Sequence, residues 1–249
     1  MSNLKVLKAF HGDIKVKEKY LNRVRAHRAA DEIIKGYYWE NGKGCAVGCT
    51  VHSGSHRVYE RELGIPMALA RLEDALFELL PNAPAMAWPE KFLEAIQEGA
   101  DLGTVADRFV AWLLTEPDGV LQFVENDAIK TAIRDVGRVF GRRSKGESIA
   151  IEEWVKVRNA AYEARRNADP DVAWTSTADD TYAACATKAV DACVAGSNAA
   201  YASSYAASYA ASAAWVAYED RAATDARAAD ACALNMADKL IELLREVRA

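Results

Sequence analysis

The run Pro66-Met67-Ala68-Leu69-Ala70-Arg71-Leu72-Glu73-Asp74-Ala75-Leu76-Phe77-Glu78-Leu79-Leu80 carries the strongest secondary-structure signal in this 249-residue chain. Its apolar residues recur at three- and four-residue spacing, which is the pattern of an amphipathic helix. A proline opens the run and Pro81-Asn82 follows it, as is typical of the two ends of a helix. We therefore expect a helix over residues 66–80.

The same periodicity recurs along most of the chain, so the sequence predicts an all-α fold, a multi-helix bundle. The further helices that we expect cover residues 16–36, 89–97, 104–116, 127–140, 151–168 and 236–244.

A short Gly-rich insert near residues 37–60 interrupts this helical pattern. Asn41-Gly42 is a dipeptide typical of a tight hairpin turn, and it follows Tyr37-Tyr38-Trp39-Glu40. We expect a short hairpin or loop here, with a further loop over residues 60–66.

The C-terminal third is rich in alanine, and residues 192–218 carry no charged side chain. Tyr201, Tyr205 and Tyr209 are spaced about one helical turn apart, and Trp215 follows them. Serine and tyrosine are frequent in this stretch, whereas leucine, isoleucine and phenylalanine are absent, so we expect no membrane span. The pattern favours an Ala-rich helical hairpin that self-associates into a homo-oligomer through these four aromatic residues.

Two domains are therefore expected. Residues 1–168 form a helical domain that carries a segment rich in cysteine and histidine, and residues 169–249 form a packing and oligomerisation region.

Composition narrows the class of protein. Five cysteines, an odd number without regular spacing, do not indicate a secreted disulfide framework, and the first residues lack the apolar run of a signal peptide. A cytoplasmic location follows as an expectation.

The charge is unevenly distributed along the chain, whose net charge is −5. Residues 1–35 carry nine basic and four acidic side chains, and this mixture of charges is typical of a solvated helix face. Nucleic-acid binding is therefore not favoured.

The segment from Gly44 to His56 holds the residues best suited to metal binding. Cys45, Cys49, His52 and His56 are ligand types that suit zinc. On a helix these four positions share one face but extend over about 16 Å, and on a strand the two cysteines lie about 13 Å apart. One ion can therefore take all four ligands only in a compact loop hinged at the glycines.

The same segment permits a thiol nucleophile. Cys45 or Cys49 is the candidate, with His27, His52 or His56 as the base and Glu60 or Glu62 orienting the imidazole. A third interpretation is structural, with both thiols packed as small buried residues and the histidines making polar contacts at the edge of the bundle. These three interpretations stay open at the level of sequence.

Three motifs carry a resemblance to known sequences: the runs 42–50 (GKGCAVGCT), 62–66 (ELGIP) and 69–74 (LARLED). They resemble a group of uncharacterised proteins from bacterial and phage genomes, over roughly residues 17–120, and the Ala-rich tail is similar to tails of that group. The resemblance implies a phage or prophage accessory setting, and no catalytic assignment can be carried over from it. We therefore expect a non-enzymatic binding protein acting on a host protein or a small ligand. The alternative is a metal- or thiol-dependent enzyme centred on residues 45–56.

Overall fold

The computed structural model describes residues 7–124, 126–168 and 226–249, and it confirms the all-α fold. These residues form nine α-helices and one two-stranded antiparallel sheet. The helices are α1 (Ile14–Ala29), α2 (Ala46–Val51), α3 (Arg57–Leu63), α4 (Met67–Leu79), α5 (Asn82–Ala95), α6 (Val105–Thr115), α7 (Asp127–Arg143), α8 (Ile151–Ala168) and α9 (Ala226–Glu246).

The hairpin at Asn41-Gly42 is confirmed. Strands β1 (Trp39–Glu40) and β2 (Lys43–Gly44) pair in the register Trp39 to Gly44 and Glu40 to Lys43. Asn41 and Gly42 have φ angles of 52° and 83°, and a two-residue turn with positive φ at both positions matches the right-handed twist of the strands. Asn and Gly are the residues that tolerate this conformation, which is why the dipeptide was informative.

The first helix is shorter than predicted, because α1 ends at Ala29 and not at Gly36. Asp31 turns the chain with a φ of 52°, and the next residues pair with β2. The Ile34 N–H donates to the Gly44 carbonyl at 2.8 Å, and the Gly44 N–H donates to the Glu32 carbonyl at 3.1 Å. The chain therefore leaves α1 at this point and exchanges backbone hydrogen bonds with a distant strand instead of continuing the helix.

The insert is more helical than predicted, and the loop expected over 60–66 is confined to residues 64–66. Helices α2 and α3 occupy much of it, and α3 ends at Gly64, whose φ is 63°. Every residue of α2 is buried. Burial stabilises this short helix, which is rich in glycine and β-branched residues and has little helix propensity of its own.

Helix α5 also differs from the prediction, since it begins at Asn82 and contains Pro89 in its interior. Ala85 and Trp88 lie buried before the proline, and the Trp88 indole N–H donates to the Glu73 carbonyl at 3.0 Å. Packing of this earlier turn extends the helix backwards from the residue where local sequence places its start.

The described residues divide into two compact units, and this division differs from the predicted boundary after residue 168. The first unit comprises residues 7–106 and 233–249, and the second comprises 107–168 and 226–232. The difference arises because the buried positions of α9 from Ala233 onward belong with the N-terminal helices.

In the first unit, α1 packs on α2 and α5, and α4 packs on α2, α3 and α5. Its largest fully buried side chains include Tyr20, Tyr59, Phe77 and Phe92.

In the second unit, α7 packs on α8. The Phe140 and Trp154 rings meet edge to face at 5.0 Å. The Arg143 guanidinium lies over both rings, and its Nε donates to the Asp107 carboxylate at 2.6 Å.

Some predictions fall outside the described residues. Tyr201, Tyr205, Tyr209 and Trp215 are among them, so the helical hairpin and the self-association remain predictions. In the parts of the chain that the structure describes, no helix combines the length and the apolar character needed to cross a membrane.

Candidate functional site

Two histidines and a tryptophan meet in the first unit, where α1, α2 and β1 come together. His27 lies in the last turn of α1, and His52 ends α2 with a left-handed φ of 53°. Their Nε2 atoms are 2.8 Å apart. The Trp39 ring stacks on His52 at 4.3 Å between centroids, and it meets the edge of His27 at 5.4 Å. We call His27 and His52 the histidine pair.

Glu32 orients the histidine pair. Its carboxylate accepts a hydrogen bond from His27 Nδ1–H at 2.6 Å. A neutral His27 with its proton on Nδ1 has a lone pair at Nε2, so it accepts from His52 Nε2–H. Burial lowers the pKa of His52, and the Arg23 guanidinium and His27 lower it further. Glu32, His27 and His52 therefore form one hydrogen-bonded chain.

A second histidine–carboxylate pair joins His56, which immediately precedes α3, to Asp74 on α4. His56 Nε2 donates to the Asp74 carboxylate at 3.1 Å, and both side chains are largely buried. The Tyr38 ring meets the His56 ring edge to face at 5.7 Å. This pair connects the segment after α2 to α4.

The structure separates the four predicted metal ligands. Cys45 and His56 lie beside Asp74, whereas the Cys49 thiol donates to the Gly44 carbonyl at 3.3 Å. His52 contacts His27 instead. Among the residues described, no three His, Cys, Asp or Glu side chains are arranged to hold a metal ion. The zinc site of four ligands is not formed, because α2 places Cys45 before its first residue and His52 after its last.

The two thiols are not activated nucleophiles. Cys45 is 1% exposed and Cys49 is fully buried. Burial raises the pKa of Cys49 to about 12, and burial together with the Asp74 carboxylate raises that of Cys45 further above its usual range. Since the thiolate is the reactive form, both cysteines are inert at neutral pH. Their role in the structure is the packing of α2.

The predicted orienting acids have other partners. Glu62 accepts from the Tyr20 hydroxyl and pairs with Arg61, and Glu60 accepts from the Met67 backbone N–H at 3.0 Å. Glu32 and Asp74 orient the histidines in their place. Sequence reasoning missed Glu32, Asp74 and Trp39, because nothing in their local pattern distinguishes them from surface acids and core aromatics.

We expect Cys45 and Cys49 to resist alkylation in the folded protein. Iodoacetamide at neutral pH should modify them about four thousandfold more slowly than in guanidinium chloride, because a free energy of unfolding of about 5 kcal/mol limits access by global opening. Peptide mass spectrometry of samples labelled for increasing times measures each site separately, and the denatured sample is the control. Fast labelling of either thiol in the native protein would restore the nucleophile hypothesis.

Tyr37 and Tyr38 are exposed aromatic side chains on a tightly held backbone. They are 60% and 51% exposed. The Cys45 N–H donates to the Tyr37 carbonyl at 2.7 Å. A Cβ atom on Gly44 or Gly48 would overlap the Tyr38 carbonyl oxygen, so these glycines, in β2 and α2, permit the close approach of the Tyr38 backbone to both elements. We call residues 37–39 the aromatic segment.

Comparison with known proteins supplies no homologue, since no protein family, curated protein or solved structure matches the chain. Functional inference therefore rests on the chemistry of the aromatic segment and the histidine pair.

Proposed function

We propose that this protein is a non-enzymatic binding protein whose partner is a protein surface that docks on the aromatic segment. The observation that carries the proposal is the exposure of two adjacent tyrosines on a backbone held by its packing against β2 and α2. Tyrosine and tryptophan are enriched at the energetic centres of protein interfaces, because they bury a large area with few rotatable bonds.

The rigidity of the segment supports binding in another way. An interface residue that is already held in its bound position loses less conformational entropy on association. Trp39 is stacked on His52, and Tyr38 contacts His56, so neither ring needs a new partner within the chain to become ordered. The aromatic segment is therefore preorganised for binding.

The chemistry of the two cysteines favours binding over the thiol-dependent form of the enzymatic alternative. Both cysteines of the predicted centre are buried with raised pKa values, so thiol catalysis has no nucleophile there. The resemblance of residues 17–120 to phage and bacterial proteins of no known activity supports a phage or prophage setting. A host protein is accordingly the partner that we propose.

The test compares two double variants, each of which replaces two exposed large side chains. Tyr37→Ser with Tyr38→Ser changes the aromatic segment, and Ile14→Ser with Ile151→Ser changes two other exposed positions, which are 47% and 44% exposed. Partners are captured from a bacterial host lysate, identified by mass spectrometry and purified. Calorimetry then measures the Kd of each variant for the purified partner.

We expect the tyrosine variant to weaken binding by roughly thirtyfold or more, since a hot-spot residue contributes about 2 kcal/mol. The isoleucine variant should bind like the wild type, and thermal unfolding should be unchanged in both. Equal Kd values for the wild type and the tyrosine variant would contradict the proposal, as would a wild-type protein that retains no saturable partner.

A further inference from the structure

We infer that the histidine pair is a binding site for a divalent transition-metal ion of tetragonal preference, Cu²⁺ in the first place, with His27 Nε2 and His52 Nε2 as its two protein ligands. This site differs from the four-ligand zinc site considered above, because it includes His27 and neither cysteine. The inference does not rest on the proposed binding function, since it uses other atoms and a different measurement.

The two Nε2 atoms are close enough to share one ion. A metal–imidazole bond is about 2.0 Å, so two ligands at a right angle are about 2.8 Å apart, whereas two tetrahedral ligands are about 3.3 Å apart. The hydrogen-bonded separation is 2.8 Å, so an ion with ligands at right angles can bridge the pair with little movement of either ring. Square-planar and tetragonal coordination by nitrogen and oxygen is typical of Cu²⁺ and Ni²⁺, and Cu²⁺ binds more tightly in the usual order of divalent ions.

Neighbouring side chains fix the orientation of both imidazole rings, as is common for histidines that bind metal ions. A metal-binding histidine commonly donates its other N–H to a carboxylate, which sets the tautomer and raises the basicity of the ligand. Glu32 accepts such a bond from His27 Nδ1–H at 2.6 Å. The second ring is held by stacking on Trp39, with an angle of 11° between the ring planes.

Access and charge also suit a small cation. His52 is solvent-exposed, and His27 keeps 13% of its side chain exposed, so an ion can approach the two Nε2 atoms from solution. The Glu32 carboxylate attracts the ion, and the Arg23 guanidinium near His52 opposes it. The remaining equatorial positions go to water, because the described residues supply no third ligand of the His, Cys, Asp or Glu type.

Binding requires one proton to move. The hydrogen bond between the two Nε2 atoms holds one proton, which one of the two nitrogens carries. Coordination needs a lone pair on both atoms, so this proton is released to solvent when the ion binds. No oxidant or reductant is involved.

The experiment titrates the full, untagged chain with Cu²⁺ by calorimetry and records the electron paramagnetic resonance spectrum of the one-to-one sample. Three variants change the site: His27→Gln, His52→Asn and Glu32→Gln. Asparagine suits position 52, because it tolerates the left-handed φ found there and lacks an imidazole. His11→Gln is the matched control, since His11 is an exposed histidine whose Nε2 contacts the Arg61 carbonyl.

We expect one Cu²⁺ site in the wild type with hyperfine coupling to two equivalent imidazole nitrogens. Glu32→Gln should weaken the affinity by roughly 10- to 100-fold, as for other changes to a residue that orients a metal ligand. His27→Gln and His52→Asn should each weaken it further and should reduce the coupling to one nitrogen, whereas His11→Gln should change neither quantity. Circular dichroism confirms that the variants are folded.

Three results would overturn the inference. They are a wild-type affinity that His27→Gln and His52→Asn leave unchanged, an affinity lost in His11→Gln, and a spectrum without imidazole coupling. The copper experiment and the partner experiment can fail separately, because each uses variants that leave the other set of atoms in place.

Discussion

Gly48→Ala is expected to destabilise the protein by about 3 kcal/mol or more, because α2 and the hairpin leave no room for a side chain between them. A Cβ atom at this position would overlap the Tyr38 carbonyl oxygen and lie 2.6 Å from its carbonyl carbon. Both atoms belong to the backbone, so no side-chain rotation relieves the overlap. The strand has to move away from α2 or α2 has to unwind.

Gly48→Ala should also disturb the geometry of the histidine pair. Moving β1 away from α2 separates Trp39 from His52, whose rings stack at 4.3 Å. It also strains the hydrogen bond of 2.7 Å from the Cys45 N–H to the Tyr37 carbonyl. We therefore expect the variant to lose Cu²⁺ affinity together with stability.

Urea unfolding monitored by circular dichroism measures the effect, and Gly141→Ala is the matched control. Gly141 also lies in a helix, but a Cβ atom there would meet its nearest neighbour, the Ala111 methyl group, at an ordinary 3.7 Å. This control should be about 1 kcal/mol more stable than the wild type, which is the difference in helix propensity between glycine and alanine. A Gly48→Ala variant within about 1 kcal/mol of the wild type would contradict the close packing of α2 against the hairpin.

The second large effect concerns a buried carboxyl group on α4. Glu73 is fully buried, and one of its oxygens accepts from the Tyr59 hydroxyl at 2.6 Å. The other oxygen, Oε1, makes no hydrogen bond to the described residues. Burial raises the pKa of Glu73 well above its usual range, and the neighbouring Asp74 raises it further. Glu73 therefore stays protonated in the folded protein at pH values where an exposed glutamate is ionised.

The direction of the pH dependence follows from proton binding in the two states. Above the usual pKa of glutamate the unfolded chain has released the proton, while the folded protein still binds it. The free energy of unfolding therefore falls as the pH rises, by up to about 1.4 kcal/mol per pH unit, until the folded pKa is reached. The contribution of Glu73 is largest in acid and is lost towards higher pH.

Glu73→Gln should abolish this slope, because glutamine has nearly the same shape and does not ionise. The measurement is the difference in free energy of unfolding between the variant and the wild type at a series of pH values, which cancels the other titrating groups. The variant should gain on the wild type as the pH rises from acid to neutral. Glu18→Gln, at an exposed position of α1, controls for loss of a surface carboxyl. A difference for Glu73→Gln that is constant with pH would contradict a protonated Glu73.

Helices whose signals are local were predicted well from the sequence. The expected ranges 66–80, 104–116, 127–140 and 151–168 correspond closely to α4, α6, α7 and α8, because each has a complete apolar stripe and a recognisable beginning or end. The Asn41-Gly42 turn was also predicted, since the conformation it adopts is a property of those two residues.

The elements that were mispredicted take their stability from distant residues. The end of α1 depends on pairing with Gly44, and α2 depends on complete burial against other helices. The early start of α5 depends on the contact of Trp88 with α4. None of these partners lies within the window of residues from which a helical or extended pattern is recognised.

The candidate site also combines features that local sequence predicts with features that depend on distant contacts. From composition we expected any chemical centre to lie in the segment from Gly44 to His56, with His27 among the candidate bases. This expectation paired the wrong residues, because the neighbours of a side chain depend on where helices end and on how closely they approach. The Glu32–His27–His52 chain exists because α1 stops at Ala29 and because Gly48 lets α2 pack on the hairpin. Apolar periodicity is a pattern among residues close together in sequence, so it can be recognised from the sequence alone. The contacts of the candidate site join residues far apart in the chain, and they form only when the helices pack.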